Sequence, residues 1–320
     1  MPSKNELLGG HPIRPKLTAL EFFSGIGGMH YALRWTGIDA TVLAAFDINP
    51  NCNATYKLNF GLEPVQKSIK DVSPESIEAF GALLWMLSPP CQPYSRQGNQ
   101  ADSRDLRASG LAYILELLKR MRSPPKFLFL ENVVGFERSD SHACLISTIH
   151  DLGYGAQEWI LTPTQFGIPN QRPRYYLLAT LGANVNDISN QPAVSTEWPN
   201  ALPKQPVSAF LDVDRQIMPV SWDRALDPHL MIDADSGITG CFTKAYGHFG
   251  GSGSFLKSSD GSLSFFLPSE VARLHCFPPI QFPNLTVKQQ WKLLGNSVSV
   301  LVIGHILKHG LAEYLPGNPE

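Results

Sequence analysis

Residues 17–37 read LTALEFFSGIGGMHYALRWTG, and the order of residue types in them decides the fold. LTALEFFS (17–24) is a short apolar run with the length of a strand. GIGG (25–28) follows with the backbone freedom of a sharp turn, and MHYALRWTG (29–37) has helical spacing with Gly37 as its stop. Strand, glycine turn and helix in that order open a parallel α/β sheet. Outward from there, ATVLAAFDINP (40–50) predicts a second strand ending at Asp47, and GALLWMLSPP (81–90) a third. GLAYILELLKRM (110–121) predicts a helix, and KFLFLENVVGF (126–136) a strand with Glu131 near its end. Such alternation predicts a doubly wound, mostly parallel sheet.

The texture changes near residue 180. From LGANVNDISNQPAVSTEWPNALPKQP (181–206) to about Asp260 the chain is rich in Asn, Pro, Ser and Gly and reads as a separate irregular module. LPSEVARLHCFP (267–278) and VKQQWKLLGNSVSVLVIGHILKHGLAEYL (287–315) restore helical periodicity. The expected organisation is a flexible 1–16, a catalytic and cofactor-binding domain at 17–180, a target-recognition module at 181–266, and a segment at 267–320 that packs back on the first domain.

With 320 residues, 43% of them apolar, the chain can bury a sizeable core, and its formal charge of −2 advertises no polyanionic partner. Five widely spaced cysteines with no C-x-x-C indicate neither a disulfide framework nor a zinc site. With no apolar signal core and no membrane-length run, the expectation is a soluble cytoplasmic protein with the nucleus as a second compartment, no metal and no membrane partner.

GIGG matches neither G-x-G-x-x-G nor a P-loop. Its turn still lets a ligand approach the backbone, and Asp47, some 20 residues on, suits a pair of ribose hydroxyls. Phe23 beside the turn offers an aromatic face to a sulfonium. An adenosine with a sulfonium fits these pieces better than a dinucleotide; the plainer alternative is a tight turn without a ligand. Cys91 stands in LSPPCQPYSRQG (87–98), on a loop stiffened by prolines rather than in a core element. Cysteine is more often structural, but Glu131 ends an apolar strand at the edge where open sheets place ligands, and Cys91 lies at the same edge. Nucleophile and acid together suggest covalent chemistry with proton transfer, against a surface glutamate at a strand exit. FGIPNQRPRYYLLA (166–179) sets Arg172 and Arg174 on one side of an extended chain, either for a carbonyl or carboxylate or as ordinary ion-pairing residues. Between Cys91 and Lys126 seven basic residues outnumber three acidic ones, a local +4 that reads as a phosphate-tracking patch or a solvated helix face.

LEFFSGIGG, SPPCQPYSRQG, LENV, QRPRYY and LLGNSVSV occur in the order and approximate spacing of cytosine-5 methyltransferases of the DNA-type fold, which the chain resembles over nearly its whole length. CFTKAYGHFGGSGSF (241–255) resembles the signature of the class-two DNA-methyltransferase homologues, which methylate an anticodon-loop cytosine of aspartate tRNA. The resemblance implies a Rossmann-like sheet with a small target-recognition domain, S-adenosyl-L-methionine as cofactor, and tRNA, foremost tRNA-Asp, as partner of a monomer, with DNA a weak second substrate. It implies that Cys91 attacks carbon 6 of cytosine, Glu131 contacts N3, Arg174 holds O2 and Arg172 supports the loop. Phe23, Gly25, Ile26, Gly27, Asp47, Ile48, Asp71, Val72, Pro90, Asn296, Ser297 and Val298 would line the cofactor pocket. Arg96, Gln97, Arg120, Arg122, Cys241, Phe242, Thr243 and Lys244 would contact the nucleic acid. Tyr94 and Ser95 depart from the family's phenylalanine and threonine but keep their aromatic and hydroxyl character. The module at 181–266 carries nine acidic against five basic residues, a poor surface for tracking duplex phosphates. The alternatives are a DNA cytosine-5 methyltransferase and, from another class, a nucleic-acid-binding protein without useful turnover.

Overall fold

The apolar runs become strands in the computed structural model, which describes residues 16–90, 109–183, 194–199, 202–220, 227–235, 237–248 and 252–315. Strands β1 (Leu17–Phe22), β2 (Ala40–Phe46), β3 (Leu84–Leu87) and β4 (Phe127–Val133) pair in parallel. With β5 (Tyr154–Leu161) and β6 (Arg174–Leu181) they form one six-stranded sheet of order β2-β1-β3-β4-β6-β5. Only β6 runs against the rest, pairing antiparallel with β4 and β5. The expected mostly parallel, doubly wound sheet is therefore present. Because β1 is followed by β2 on one side and β3 on the other, the chain reverses direction across the sheet at β1, where open sheets leave a crevice at their carboxyl ends.

Alternate residues of each strand feed two cores. Leu84, Met86, Phe127 and Phe129 face one layer, and Trp85, Leu87, Leu128 and Leu130 the other. Both faces of β3 and β4 are buried, which is why these strands read as continuous apolar runs rather than as alternation. Helix α1 (Gly28–Trp35) covers the first face. On the chain's path between strands come α2 (Pro50–Phe60), capped by the Asn49 side chain, the short α3 (Pro74–Glu78), α4 (Ser109–Arg120) and α5 (Asp140–Asp151). Leu111, Ile114, Leu118, Leu145 and Ile149 of the last two fill the second face.

Among the described residues the irregular module contributes a three-stranded sheet, β7 (Met231–Ile232), β8 (Phe255–Lys257) and β9 (Leu263–Phe265). It encloses no core of its own: Phe242, Tyr246, Phe255 and Phe265 belong to the same apolar cluster as Leu17 and Met29 of the main sheet. Helices α6 (Pro268–Leu274), α7 (Val287–Gly295) and α8 (Val300–Gly310) complete that cluster with Leu274, Trp291, Leu294, Val302 and Ile306. The C-terminal helices share this cluster with β1 and α1 on one side and with Phe242, Tyr246 and Phe255 of the module on the other. The periodicity over 287–315 is split into two helices at Asn296–Ser299, and the break has a purpose described below.

Beneath the glycine turn, Glu21 of β1 is 1% exposed and accepts a hydrogen bond from the Tyr56 hydroxyl at 2.8 Å, which in turn lies 2.8 Å from His30 Nδ1. β1, α2 and α1 are thus tied through one buried polar chain. Burial pushes the Glu21 carboxyl up to about 8, against the lowering effect of Tyr56 and of the backbone N–H groups of His30 and Met29. The stability this acid contributes is full below about 4.5, its unfolded value, and is lost as pH rises to about 8. Glu21→Gln keeps an oxygen for Tyr56 and cannot ionise. Its melting temperature relative to the parent should therefore climb by several degrees, about 5 °C, between about pH 5 and about pH 8. A difference that stays flat across that range in calorimetry would show that Glu21 does not titrate in the fold.

Candidate active site

The carboxyl ends of β1, β2, β3 and β4 open into a cleft of about 610 Å³. Its walls bring together residues far apart in the sequence: Phe23, Gly25, Asp47 and Ile48 on one side, Pro90, Glu131 and Arg174 on another, and Lys244, Asn296 and Ser297 from the module and the α7–α8 link.

The glycine turn is built around Asp47. Its Oδ2 accepts the Gly25 N–H at 2.8 Å and its Oδ1 the Asn49 N–H at 2.8 Å, so the carboxylate joins the turn after β1 to the start of α2. Burial raises the Asp47 carboxyl above its usual range, against the bonds from Asn49, Gly25 and Ile48. Each oxygen keeps a lone pair for a ligand donor. Gly25 sits at φ +53 with nothing within 4 Å of where a Cβ would be, leaving bare backbone toward the cleft. Phe23 holds φ 57, a value bulky residues rarely adopt, and strain of this kind concentrates at ligand sites. A Cβ on Gly110 would stand 3.0 Å from its ring, a tight contact, so the glycine in the first turn of α4 leaves the ring room.

Glu131, 6% exposed, occupies the end of β4. Its Oε2 accepts from the Ser88 hydroxyl at 2.9 Å, and its Oε1 lies 3.5 Å from Arg174 Nε. Burial raises the carboxyl above the usual carboxylate range, opposed by Arg174, Arg172 and the Ser88 bond. The site thus holds a carboxyl whose burial favours the protonated form, beside a fixed guanidinium. Arg174 also donates from Nη1 to the Pro173 carbonyl at 2.8 Å.

Arg172 has a different task. Only 2% exposed, it donates from Nη1 to the Phe242 carbonyl at 2.7 Å, and from Nη2 to the Gly295 carbonyl at 3.2 Å and to the Ser297 carbonyl. The carbonyls freed by the break between α7 and α8 are therefore its acceptors. It clamps the strand leading into β6 to the 241–243 segment and to the α7 end. Gly295 makes this possible: a Cβ there would stand 2.2 Å from the Thr243 carbonyl carbon and 2.5 Å from the Lys244 nitrogen.

Several of the expected site residues lie outside the cleft wall. Asp71 and Val72 do not line the cleft; Val72 is 8% exposed and packs in the second core, while Ser68 and Ile69, at the head of the same 3-10 turn, take the cleft position. Ile26 and Val298 are core residues, Val298 closing on Gly28, and Gly27 serves the turn as the φ +83 start of α1. Phe242 is 1% exposed among Tyr246, Phe266 and His275, and Thr243 bonds the Ser252 hydroxyl at 2.7 Å, so both are packing residues. Arg120 and Arg122 line a separate cleft with Glu75 and Glu78. They stand about 15 Å along α4 from Gly110, because the helix runs from the ligand edge of the sheet to the opposite one. Cys91, Arg96 and Gln97 lie outside the described residues. Residues that sequence reasoning missed include Ser88, Asn132, Lys67 and Lys70. Ser88 and Asn132 stand within SPPC and LENV at strand ends, a signal that was present; the two lysines carried none. Among the described residues no cluster of His, Cys, Asp or Glu could hold a metal ion, and no helix is long and apolar enough to cross a membrane.

The model of the C-5 cytosine-specific DNA methylase family matches residues 17–218. The chain is 33% identical to the tRNA (cytosine(38)-C(5))-methyltransferase of Schizosaccharomyces pombe, over 91% of this chain and 96% of that protein. It is also 33% identical to a DNA (cytosine-5)-methyltransferase of Dictyostelium discoideum, over 92% of this chain and 94% of the other. The solved S. pombe Dnmt2 methyltransferase superposes with a TM-score of 0.79 at 33% identity, covering 93% of this chain and 99% of that one.

Replacing Gly295 by alanine, ordinarily favourable in a helix, should here lower the melting temperature by about 5–10 °C, because the atoms in the way are backbone and cannot rotate aside. A melt equal to or above the parent's would mean that the 243–244 backbone does not rest on α7.

Proposed function

The chain belongs to the C-5 cytosine-specific DNA methylase family, as a cytosine-5 methyltransferase of its Dnmt2 branch, and we propose that its substrate is a cytosine in the anticodon loop of tRNA, foremost tRNA-Asp. The observation that carries the chemistry is the buried Glu131, paired with Ser88 and Arg174 in the cleft that the Gly25–Asp47 turn also lines.

The family's cofactor, S-adenosyl-L-methionine, fits the residues present. The open backbone at Gly25 and the spare lone pairs of Asp47 suit a ribose, Ser68, Ile69 and Ile48 flank the space for an adenine, and the Phe23 ring offers its face to a sulfonium. Asn296 and Ser297 close the far wall. When bound, the cofactor supplies the methyl group. The chain's own residues prepare the base. The Cys91 thiolate adds to carbon 6; Glu131, whose carboxyl burial raises above the usual range, shares a proton with N3. Electron density thereby moves to carbon 5. Arg174 has two of its five N–H donors left after Pro173, Glu131 and Cys241, enough to hold the base O2. After methylation, loss of the carbon-5 proton returns the electron pair that expels the Cys91 thiolate.

Three observations favour tRNA. A loop nucleotide costs less to extrude than a duplex one; the module is acidic; and Lys67, Lys70 and Lys244 give the cleft itself a small basic rim suited to a few phosphates. DNA stays the second reading because a relative equally similar to the S. pombe enzyme bears a DNA-methyltransferase name.

Incubation with methyl-labelled S-adenosylmethionine and either total tRNA or unmethylated DNA should place label chiefly in tRNA; label chiefly in DNA would overturn the substrate. Glu131→Gln should lower the rate on tRNA by about 100-fold or more, since the amide cannot give N3 a proton. Near-parent turnover would remove Glu131 from the chemistry.

A further inference from the structure

Arg172 and Arg174 are a problem in charge. Both are withdrawn from water, and the only carboxylate they face among the described residues is Glu131, whose burial favours its neutral form. Arg172 otherwise meets carbonyls, which accept from its Nη groups but do not offset its charge. Burying a cation without a counter-charge is costly.

Among the described residues, the remaining ionisable groups around the pair come from three elements. Tyr176 of β6 is pushed up by burial far above neutrality, and His275, at the end of α6, is held well below its usual range by burial and by the two arginines, so both are uncharged. Cys241, in the segment clamped by Arg172, is the last. Its Sγ lies 3.3 Å from Arg172 Nη1 and 3.6 Å from Arg174 Nη2. We infer that Cys241 is a resident thiolate, the counter-ion of both guanidiniums, and that it positions Arg174 for the target base. Burial raises this thiol, yet the two arginines more than reverse that and leave it below its ordinary value. The rival arrangement is a neutral thiol donating to the Phe242 carbonyl at 3.8 Å, but that carbonyl already accepts from Arg172 at 2.7 Å.

The inference rests on the proposed reaction only for its catalytic half. With Glu131 on Nε, the Pro173 carbonyl on Nη1 and Cys241 on Nη2, Arg174 is held at all three nitrogens, and its free donors are fixed before any base arrives. Without the sulfur Nη2 has no anchor.

The test is the ultraviolet thiolate absorbance of the whole protein, taken as the parent minus Cys241→Ser difference across pH. The inference expects a one-thiolate difference with a midpoint at least about one unit below the ordinary thiol value of about 8.5. A midpoint at or above that value would overturn it, whether or not the protein methylates anything. In methyl transfer to tRNA, Cys241→Ser should lower kcat by about tenfold to a hundredfold while leaving KM for S-adenosylmethionine unchanged. Cys241→Asp, which restores a negative charge, should recover part of the loss and carry the acid limb of the pH profile to lower pH. Equal rates and superimposable pH profiles for the parent and both variants would deny the sulfur its positioning role. Should Cys241→Asp fail to fold, Cys241→Ser and the absorbance titration still decide.

Discussion

A fully buried arginine must give its hydrogens to something, and in this protein the partners of Arg172 determine how the site is assembled. It draws together three backbone segments: the lead into β6, the residues around Phe242, and the break between α7 and α8. None of the three has a regular reason to meet the others. Carbonyls left open at the end of α7 would cost free energy if buried alone; Arg172 satisfies them, and Gly295 lets the 243–244 backbone come close enough to share the clamp. Arg174, two residues on, is then delivered to the cleft beside Glu131 by the register of β6 against β4.

The opposite wall depends on the sheet. The reversal of strand order at β1 places the turns after β1 and β2 side by side, and Asp47 bonds one to the other. Below them Glu21, Tyr56 and His30 fasten β1 to α2 and α1. The cleft is therefore preformed from both sides, and a ligand meets donors and acceptors that are already fixed by the fold.

The sheet was legible because its signals are local. An apolar run, glycines and a helical period appear in order along LTALEFFSGIGGMHYALRWTG, and both faces of β3 and β4 are covered, so their runs are unbroken. Helix α2 gave little sign of itself, since PNCNATYKLNF mixes polar and apolar residues without a clear stripe. In the site, residue identity was readable and direction was not. Asp71 and Ser68 share one 3-10 turn, and only the fold determines which end of it meets the cleft. The +4 segment sums charges from both ends of α4, although its ends lie on opposite edges of the sheet. Arg172 and Arg174 look equivalent in sequence and both reach the cleft wall, but Arg172 spends its Nη donors on backbone carbonyls while Arg174 lies beside Glu131.

In the proposed reaction the scaffold presents Cys91 to carbon 6 of a tRNA cytosine. Fluorine at carbon 5 cannot leave as a proton, so the adduct with a 5-fluorocytosine should persist. Mixing the protein with S-adenosylmethionine and tRNA that carries 5-fluorocytosine should give a denaturation-resistant complex linked through Cys91 and bearing the transferred methyl group. Recovery of only free protein and free tRNA, or of a linkage that survives Cys91→Ala, would rule out the Cys91 adduct.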